Sequence, residues 1–272
     1  MMSSQTIGLV GLGLVGQAIA QRLRASGVHP IGSELRTDAA EAFREQGGQT
    51  ADSLAQLGEQ ARTVLLAVFD TQGVIDVVEG DKGLLSGAHQ VERIVDCSTG
   101  SPDELQSLSH RLQLRGIDFV EAPLSGSSQQ IAAGEAVALV GAHDDAWRGV
   151  QELLSLVAAQ SIHIGAPGMG AKAKLATNLV LGLNRAVFAE GLAFAESLGI
   201  EPQRFLDLVL ATPAYSHAAQ VKGPLMVPAA FPPRSRIRQH QKDVRLMLEA
   251  AGNGGLDLPF SRLHAALLAQ AV

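Results

Sequence analysis

Two stretches of this sequence combine residue types and spacings that can do chemistry. The first, "GLGLVG", sets Gly11, Gly13 and Gly16 in a G-x-G-x-x-G directly after an apolar run and at the start of an amphipathic one. In that setting the first glycine permits a tight turn, the second lets backbone approach a pyrophosphate, and the third lets a helix pack closely on a strand. The N–H groups of the helix start, around Leu14 and Val15, then face the anion. Glu34 closes the next apolar run at about the twenty-residue distance where a carboxylate accepts hydrogen bonds from the adenosine ribose. Such a carboxylate repels a 2′-phosphate and so favours NAD. Arg36 reads either as a solvated surface residue or as the holder of that phosphate, which keeps NADP open. A plain strand–turn–helix with a solvated Glu34 is the competing reading.

The second stretch is "GMGAKAKLATN", Gly168 to Asn178. Lys174 and Asn178 stand four residues apart, and so on one face of what reads as a single long helix rich in Ala and Leu. A lysine in mainly apolar surroundings is costly to keep charged, so its pKa is expected to fall towards neutrality. There it can pass one proton to and from a substrate oxygen. The alternative is a stem packed on the helix with the ammonium in water. Lys172, two positions earlier, points elsewhere and is expected to be solvated.

These residues need elements to hold them. The first part of the chain alternates short apolar runs with amphipathic stretches, the rhythm of βαβ units around a parallel sheet. Strands are expected at "TIGLVGL" (Thr6 to Leu12), "VHPIGS", "RTVLLAVF" (Arg62 to Phe69), "ERIVDCS" (Glu92 to Ser98), "IDFVEA", "EAVALVGA" and "SIHIG". Helices are expected from Leu14 to Ala25, through Ala39 to Glu45, after Pro102, and from Asp144 to Val157. Beyond Gly165 the pattern is helical only: the long helix to about Ile200, "EPQRFLDLVLA", "QHQKDVRLMLEAAG" and a last helix after Pro259. Pro213 to Arg238 reads as irregular and rich in Pro. The fold class is therefore α/β: a Rossmann-type, doubly wound N-terminal domain, residues 1–165, and an all-α C-terminal domain, residues 166–272.

Composition narrows the function classes. A net charge of −6 leaves no basic footprint, so nucleic acid is not expected as a partner. The single Cys97 rules out an internal disulfide and fits a reducing cytoplasm. No positively charged leader precedes the first apolar run, and Asn184, Arg185 and Glu190 interrupt the long helix, so no membrane span is expected. The histidines show no H-E-x-x-H or paired spacing, which leaves a metal site without support. "DCSTG" is not an esterase elbow, since Asp96 stands at the first glycine position, and no Walker loop occurs.

By its motifs the chain resembles the β-hydroxyacid dehydrogenases, the group of 3-hydroxyisobutyrate dehydrogenase and tartronate semialdehyde reductase, related to 6-phosphogluconate dehydrogenase. "GLGLVG", "DCSTGSP", "APLSG" with "GEAVALVGA", "GMGAKAKLATN" and the Lys242-Asp243 pair after Phe231 occur in the family's order and cover almost the whole chain. The resemblance implies NAD(P)-dependent interconversion of a small β-hydroxy acid with its aldehyde or ketone. It implies that Val68, Phe69, Thr99 and Lys242 join Gly11, Gly13, Leu14, Val15, Gly16, Glu34 and Arg36 around the cofactor. It implies that Ser125 and Gly126 bind the substrate carboxylate together with Lys174 and Asn178, of which Lys174 is the general acid/base. It also implies a dimer or tetramer formed through the long helix. That helix is apolar on several faces, through Leu175, Val180, Leu181, Leu183, Val187, Phe188, Leu192 and Phe194, and such a helix must be covered on all sides.

The chain departs from the family pattern at Gly100, where Ile or Val is usual, and at Ser127, often a second glycine. It departs again at the Arg-rich run Arg234, Ser235, Arg236, Arg238 and His240, and in lacking a Gly/Asp-rich tail. The Arg-rich run reads as a solvated face or as an anion-binding edge. An imine reductase, a reductase of non-acid carbonyls and an inactive binding module are the alternatives; retention of Lys174 and Lys242 argues against the first and third.

Overall fold

In the computed structural model, which describes residues 6–229 and 237–271, the chain divides into two compact units, Met1–Lys174 and Leu175–Val272. The first unit is laid down as β1 (Ile7–Val10), α1 (Leu14–Ala25), β2 (Ile31–Ser33), α2 (Thr37–Glu45), β3 (Gln49–Thr50), α3 (Leu54–Gln60), β4 (Thr63–Leu66) and α4 (Thr71–Glu79). It continues as β5 (Arg93–Asp96), α5 (Pro102–Leu114), β6 (Asp118–Glu121), β7 (Leu124–Ser125), α6 (Ser128–Ala133), β8 (Val137–Gly141), α7 (Asp144–Val157) and β9 (Gln160–Gly165). The strands form one sheet in the order β3-β2-β1-β4-β5-β6-β8-β7, with β9 paired to β8.

Successive side chains of a strand point to opposite faces, and both faces here are covered. Leu9, Leu65 and Val95 join the core beneath α1 and α7, while Val10, Val64, Leu66 and Ile94 join the core beneath α3, α4 and α5. Burial on both faces explains why β1, β4 and β5 read as nearly continuous apolar runs rather than alternating ones.

The sheet is mixed, not purely parallel as the βαβ rhythm predicts. Strand β8 runs antiparallel to both β6 and β7. A parallel return needs a crossover of about a dozen residues or more, usually helical. Between Glu121 and Val137 the chain forms β7 and a helix of 6 residues, and β8 comes back antiparallel.

A 29-residue helix, α8 (Met169–Ser197), follows and spans about 44 Å. The compact units part within it, between Lys174 and Leu175. Its first turn is tied to the sheet: Glu121 accepts the N–H groups of Gly168 and Ala171, and the Ala171 side chain lies in the α3–α5 core.

The second unit is the remainder of α8 with α9 (Pro202–Ala211), α10 (His217–Met226), α11 (Ile237–Asn253) and α12 (Pro259–Gln270). Phe188 of α8 packs with Leu206, Val209 and Ala219, and Leu175 with Val244 and Met247. The stretch from Pro213 to Arg238, read as irregular, contains α10, capped by Ser216 and holding Pro224 in its interior. An interior proline removes a helical donor, so α10 depends on its packing rather than on propensity. Phe231, Arg234, Ser235 and Arg236 lie outside the described residues.

Candidate active site

The first unit collects most of the predicted residues at the C-terminal edge of its sheet, where open α/β sheets take ligands. Gly11 follows β1 with φ +88°, and a side chain there would collide with the Ala67 carbonyl. A Cβ at Gly16 would collide with the carbonyl oxygen of Gly11. The start of α1 is thus pressed onto the end of β1. Gly13 is the N-cap and offers no side-chain cap, and the first turn has no acidic residue, so this helix start lacks a local anion. A Cβ on Gly13 would find only Arg36 Nη2, at 4.0 Å. Leu14 and Val15 are exposed beside it. Uncapped N–H groups, the helix dipole and open space above Gly13 fit a pyrophosphate.

Glu34 follows β2 and already serves this loop. Its carboxylate accepts the Leu12 N–H at 2.9 Å and the Arg36 N–H at 3.1 Å, with Arg36 Nε 3.7 Å away. Each carboxylate oxygen can accept two hydrogen bonds, so capacity for ribose hydroxyls remains. Arg36 also lies 3.8 Å from Asp38.

Further along the edge, Val68 and half-exposed Phe69 follow β4, and the Val68 N–H donates to Ser98 Oγ at 3.0 Å. Thr99 is buried after β5. The unusual Gly100 has a packing reason, since a Cβ there would come within 2.8 Å of Thr71 Oγ1. Cys97 is buried, which pushes its thiol well above the usual range and makes it unreactive.

Ser125 lies in β7, followed by Gly126. Ser127 is committed to structure: its hydroxyl accepts the Gln130 N–H, and Gln130 Oε1 accepts the Ser127 N–H, a complete capping box on α6. Lys174, buried in the second turn of α8, donates from Nζ to the Leu124 carbonyl at 2.8 Å. That bond brings Lys174 to the residue next to Ser125. The sheet order keeps the two apart from the glycine loop, with β4, β5, β6 and β8 between β1 and β7. Lys172 is exposed, as its position on the helix predicts.

In the second unit, Asn178 Nδ2 donates to Asp243 Oδ2 at 3.1 Å, and Lys242 Nζ stands 3.2 Å from Asp243 Oδ1. All three are buried. Asp243 is therefore the tie between two predicted residues. Nearby, the rings of His240 and His264 lie 5.0 Å apart against Gly182. Burial, with Arg185 and His264, pushes His240 down to about 4. Burial also lowers Arg185, opposed by Asp243.

Sequence reasoning missed Glu121, the buried end of β6. Burial pushes its carboxyl up to about 7 despite the N–H groups of Ala171 and Gly168. A charged residue closing an apolar strand just before "APLSG" was the available signal. Among the described residues, no group of three or more His, Cys, Asp and Glu could hold a metal ion, and no helix is long and apolar enough to cross a membrane.

Comparison with known proteins bears on the family and the fold. The family model for the NAD binding domain of 6-phosphogluconate dehydrogenase matches residues 6–165. The model for the NAD-binding region of NADP-dependent 3-hydroxyisobutyrate dehydrogenase matches residues 168–272. The chain is 27% identical over 259 residues to an L-threonate dehydrogenase of Cupriavidus necator, covering 95% of this chain and 87% of that protein. It is 28% identical over 253 residues to a 2-hydroxy-3-oxopropionate reductase of Escherichia coli, covering 93% and 86%. The crystal structure of a 3-hydroxyisobutyrate dehydrogenase from Salmonella typhimurium shares the fold, with a TM-score of 0.86, 24% identity, and 98% and 94% of the two chains covered.

Proposed function

The chain belongs to the β-hydroxyacid dehydrogenase family of NAD(P)-dependent oxidoreductases, and on that premise we propose that it interconverts a small β-hydroxy acid with its semialdehyde or ketone, using Lys174 as the proton carrier. The observation that carries this reading is the buried Lys174 ammonium held at the Leu124 carbonyl, one residue from Ser125. When bound, the nicotinamide gives or takes the hydride. The neutral amine of Lys174 takes the hydroxyl proton during oxidation, and the ammonium returns it during reduction. The Leu124 carbonyl can only accept, so it holds Nζ through one of the ammonium protons. The Ser125 hydroxyl and the Gly126 backbone hold the substrate carboxylate; Ser127, occupied by its capping box, shapes the loop instead. Asn178, four residues beyond Lys174, has its amide nitrogen fixed by Asp243, which leaves its oxygen to orient the reacting groups. The family resemblance assigns Thr99 to the cofactor's nicotinamide end and Lys242 to the cofactor.

Glu34 supports NAD as the preferred cofactor, since a 2′-phosphate would meet a carboxylate already bound into the loop. The test is the near-ultraviolet absorbance of reduced nicotinamide, followed with a panel of β-hydroxy acids and semialdehydes and with each cofactor. Turnover of a β-hydroxy acid with higher kcat/KM on NAD is expected. A preference for NADP would assign Arg36 to the phosphate and overturn the role of Glu34. No turnover of any acid on the panel would overturn the substrate class.

The protein acts as a homo-oligomer, at least a dimer, in the cytoplasm; the lone reduced Cys97 suits that compartment. Val180, Val187 and Phe194 recur every second turn of α8 and are 57%, 68% and 63% exposed. A continuous apolar stripe of this kind calls for a partner surface, and a second α8 offers one of matching length. Light scattering at micromolar concentration is expected to give the mass of a dimer or larger; a monomer would refute it.

A further inference from the structure

The first turn of α8 contains no acidic residue, yet a carboxylate holds it. Glu121, the last residue of β6 and 1% exposed, accepts the backbone N–H groups of Gly168 and, at 2.9 Å, of Ala171, with Gly170 adding a third. Two glycines allow the helix this close. Gly141 pairs with Glu121 across β6 and β8, and a Cβ on it would lie 2.5 Å from Gly170 N and 2.9 Å from Glu121 Oε2. A Cβ on Gly170 would lie 2.7 Å from Gly141 N. One turn beyond, Lys174 reaches the Leu124 carbonyl, three residues past Glu121 itself.

We propose that Glu121 is the positioning residue for Lys174: its carboxylate pins the first turn of α8 to the sheet and thereby sets where the Lys174 amine stands beside Ser125. This rests on Lys174 carrying the proton. The geometry makes the pin dependent on charge. An ionised carboxylate accepts at both oxygens, whereas the acid turns one acceptor into a donor facing an N–H. Burial raises Glu121 to about 7; the N–H groups of Ala171, Gly168 and Gly170 oppose the rise, and Asp96 on β5 adds to it. Strand β8 and the first turn of α8 present glycine and backbone to it.

Two opposite pH dependences result. A carboxyl whose pKa is raised on folding contributes stability that is full below the ordinary carboxylate range and is lost as pH rises through about 7. Positioning runs the other way, because the ionised form grips both N–H groups. Across this window kcat is expected to rise while Tm falls.

Glu121→Gln keeps the size of the side chain and removes its titration. Above neutral pH it is expected to lower kcat about tenfold or more, as a misplaced catalytic group does, with cofactor affinity unchanged. Both pH dependences should vanish, and hydrogen exchange should show reduced protection of the Gly168 and Ala171 amides. Glu121→Asp, which retains a carboxylate on a shorter stem, should recover part of kcat and the pH dependence. In a Lys174→Ala background, Glu121→Gln should add no further loss. The proposal is overturned if Glu121→Gln keeps wild-type amide protection and pH profile, or if it lowers kcat further without Lys174. A Lys174→Ala variant that retains kcat would sink the proton-carrier reading separately, while amide protection still reports on the pin.

Discussion

Lys174→Ala is expected to lower kcat by about 100- to 10,000-fold, the usual contribution of a positioned acid or base, while leaving cofactor affinity nearly intact. The lysine is buried and its ammonium donates to the Leu124 carbonyl, strands away from the glycine loop, so the loss falls on the chemical step rather than on nucleotide binding. A stability cost accompanies it. Removing the ammonium leaves the Leu124 carbonyl without this donor, which costs about 1–3 kcal/mol for a buried group. The two effects separate by measurement, with single-turnover kinetics reading the step and thermal unfolding reading the cost. Lys172→Ala, on the exposed side of the same turn, should change neither. Most of kcat surviving in Lys174→Ala would show that another group moves the proton.

Gly16→Ala is expected to weaken cofactor binding by about 100-fold or more. The added methyl cannot coexist with the Gly11 carbonyl, so the start of α1 must back away from the end of β1. The N–H groups that would meet the pyrophosphate move with it. Losing one or two charge-assisted hydrogen bonds is worth roughly 3 kcal/mol in all, and each 1.4 kcal/mol is about tenfold in affinity. Fluorescence titration with reduced cofactor measures the change, and circular dichroism confirms that the fold persists. Wild-type affinity in this variant would mean that the phosphate site lies elsewhere.

How far the sequence could be read depended on how local the determinant is. The glycine loop and Glu34 were legible because backbone sterics fix their spacing within one βαβ unit. Helix α7 was legible to the residue, since its apolar positions and its acidic start define it without help from the rest of the chain. The roles assigned to Ser125, Thr99 and Lys242 came from family resemblance; as bare residues each had an ordinary alternative. What stayed hidden was set by distant partners. Glu121 looks like an edge residue until the start of α8 closes over it. Asp243 appears as half of a dipeptide until Asn178 donates to it from another helix. The reversal of β8 is a matter of strand direction, which hydrophobic patterning does not record.

Strand β1 sits inside the sheet, with Gly8 paired to Ile31 on one side and to Val64 on the other. Helix α1 packs against α6 and α7, so Ile19 and Leu23 share a core with Ile131 and Val150. A ribosome therefore releases the nucleotide loop long before the segments that will shelter it. Helix α1 waits for α6 and α7 to be made, and its apolar face is open meanwhile to chaperones or to other nascent chains. The second unit reverses this order, since α9 packs on α10 and α11 on α12, neighbours in the chain. Local contacts of that kind form quickly. Synthesis thus delivers the slow-assembling half first and the fast-assembling half last, which shortens the interval in which either waits for the other.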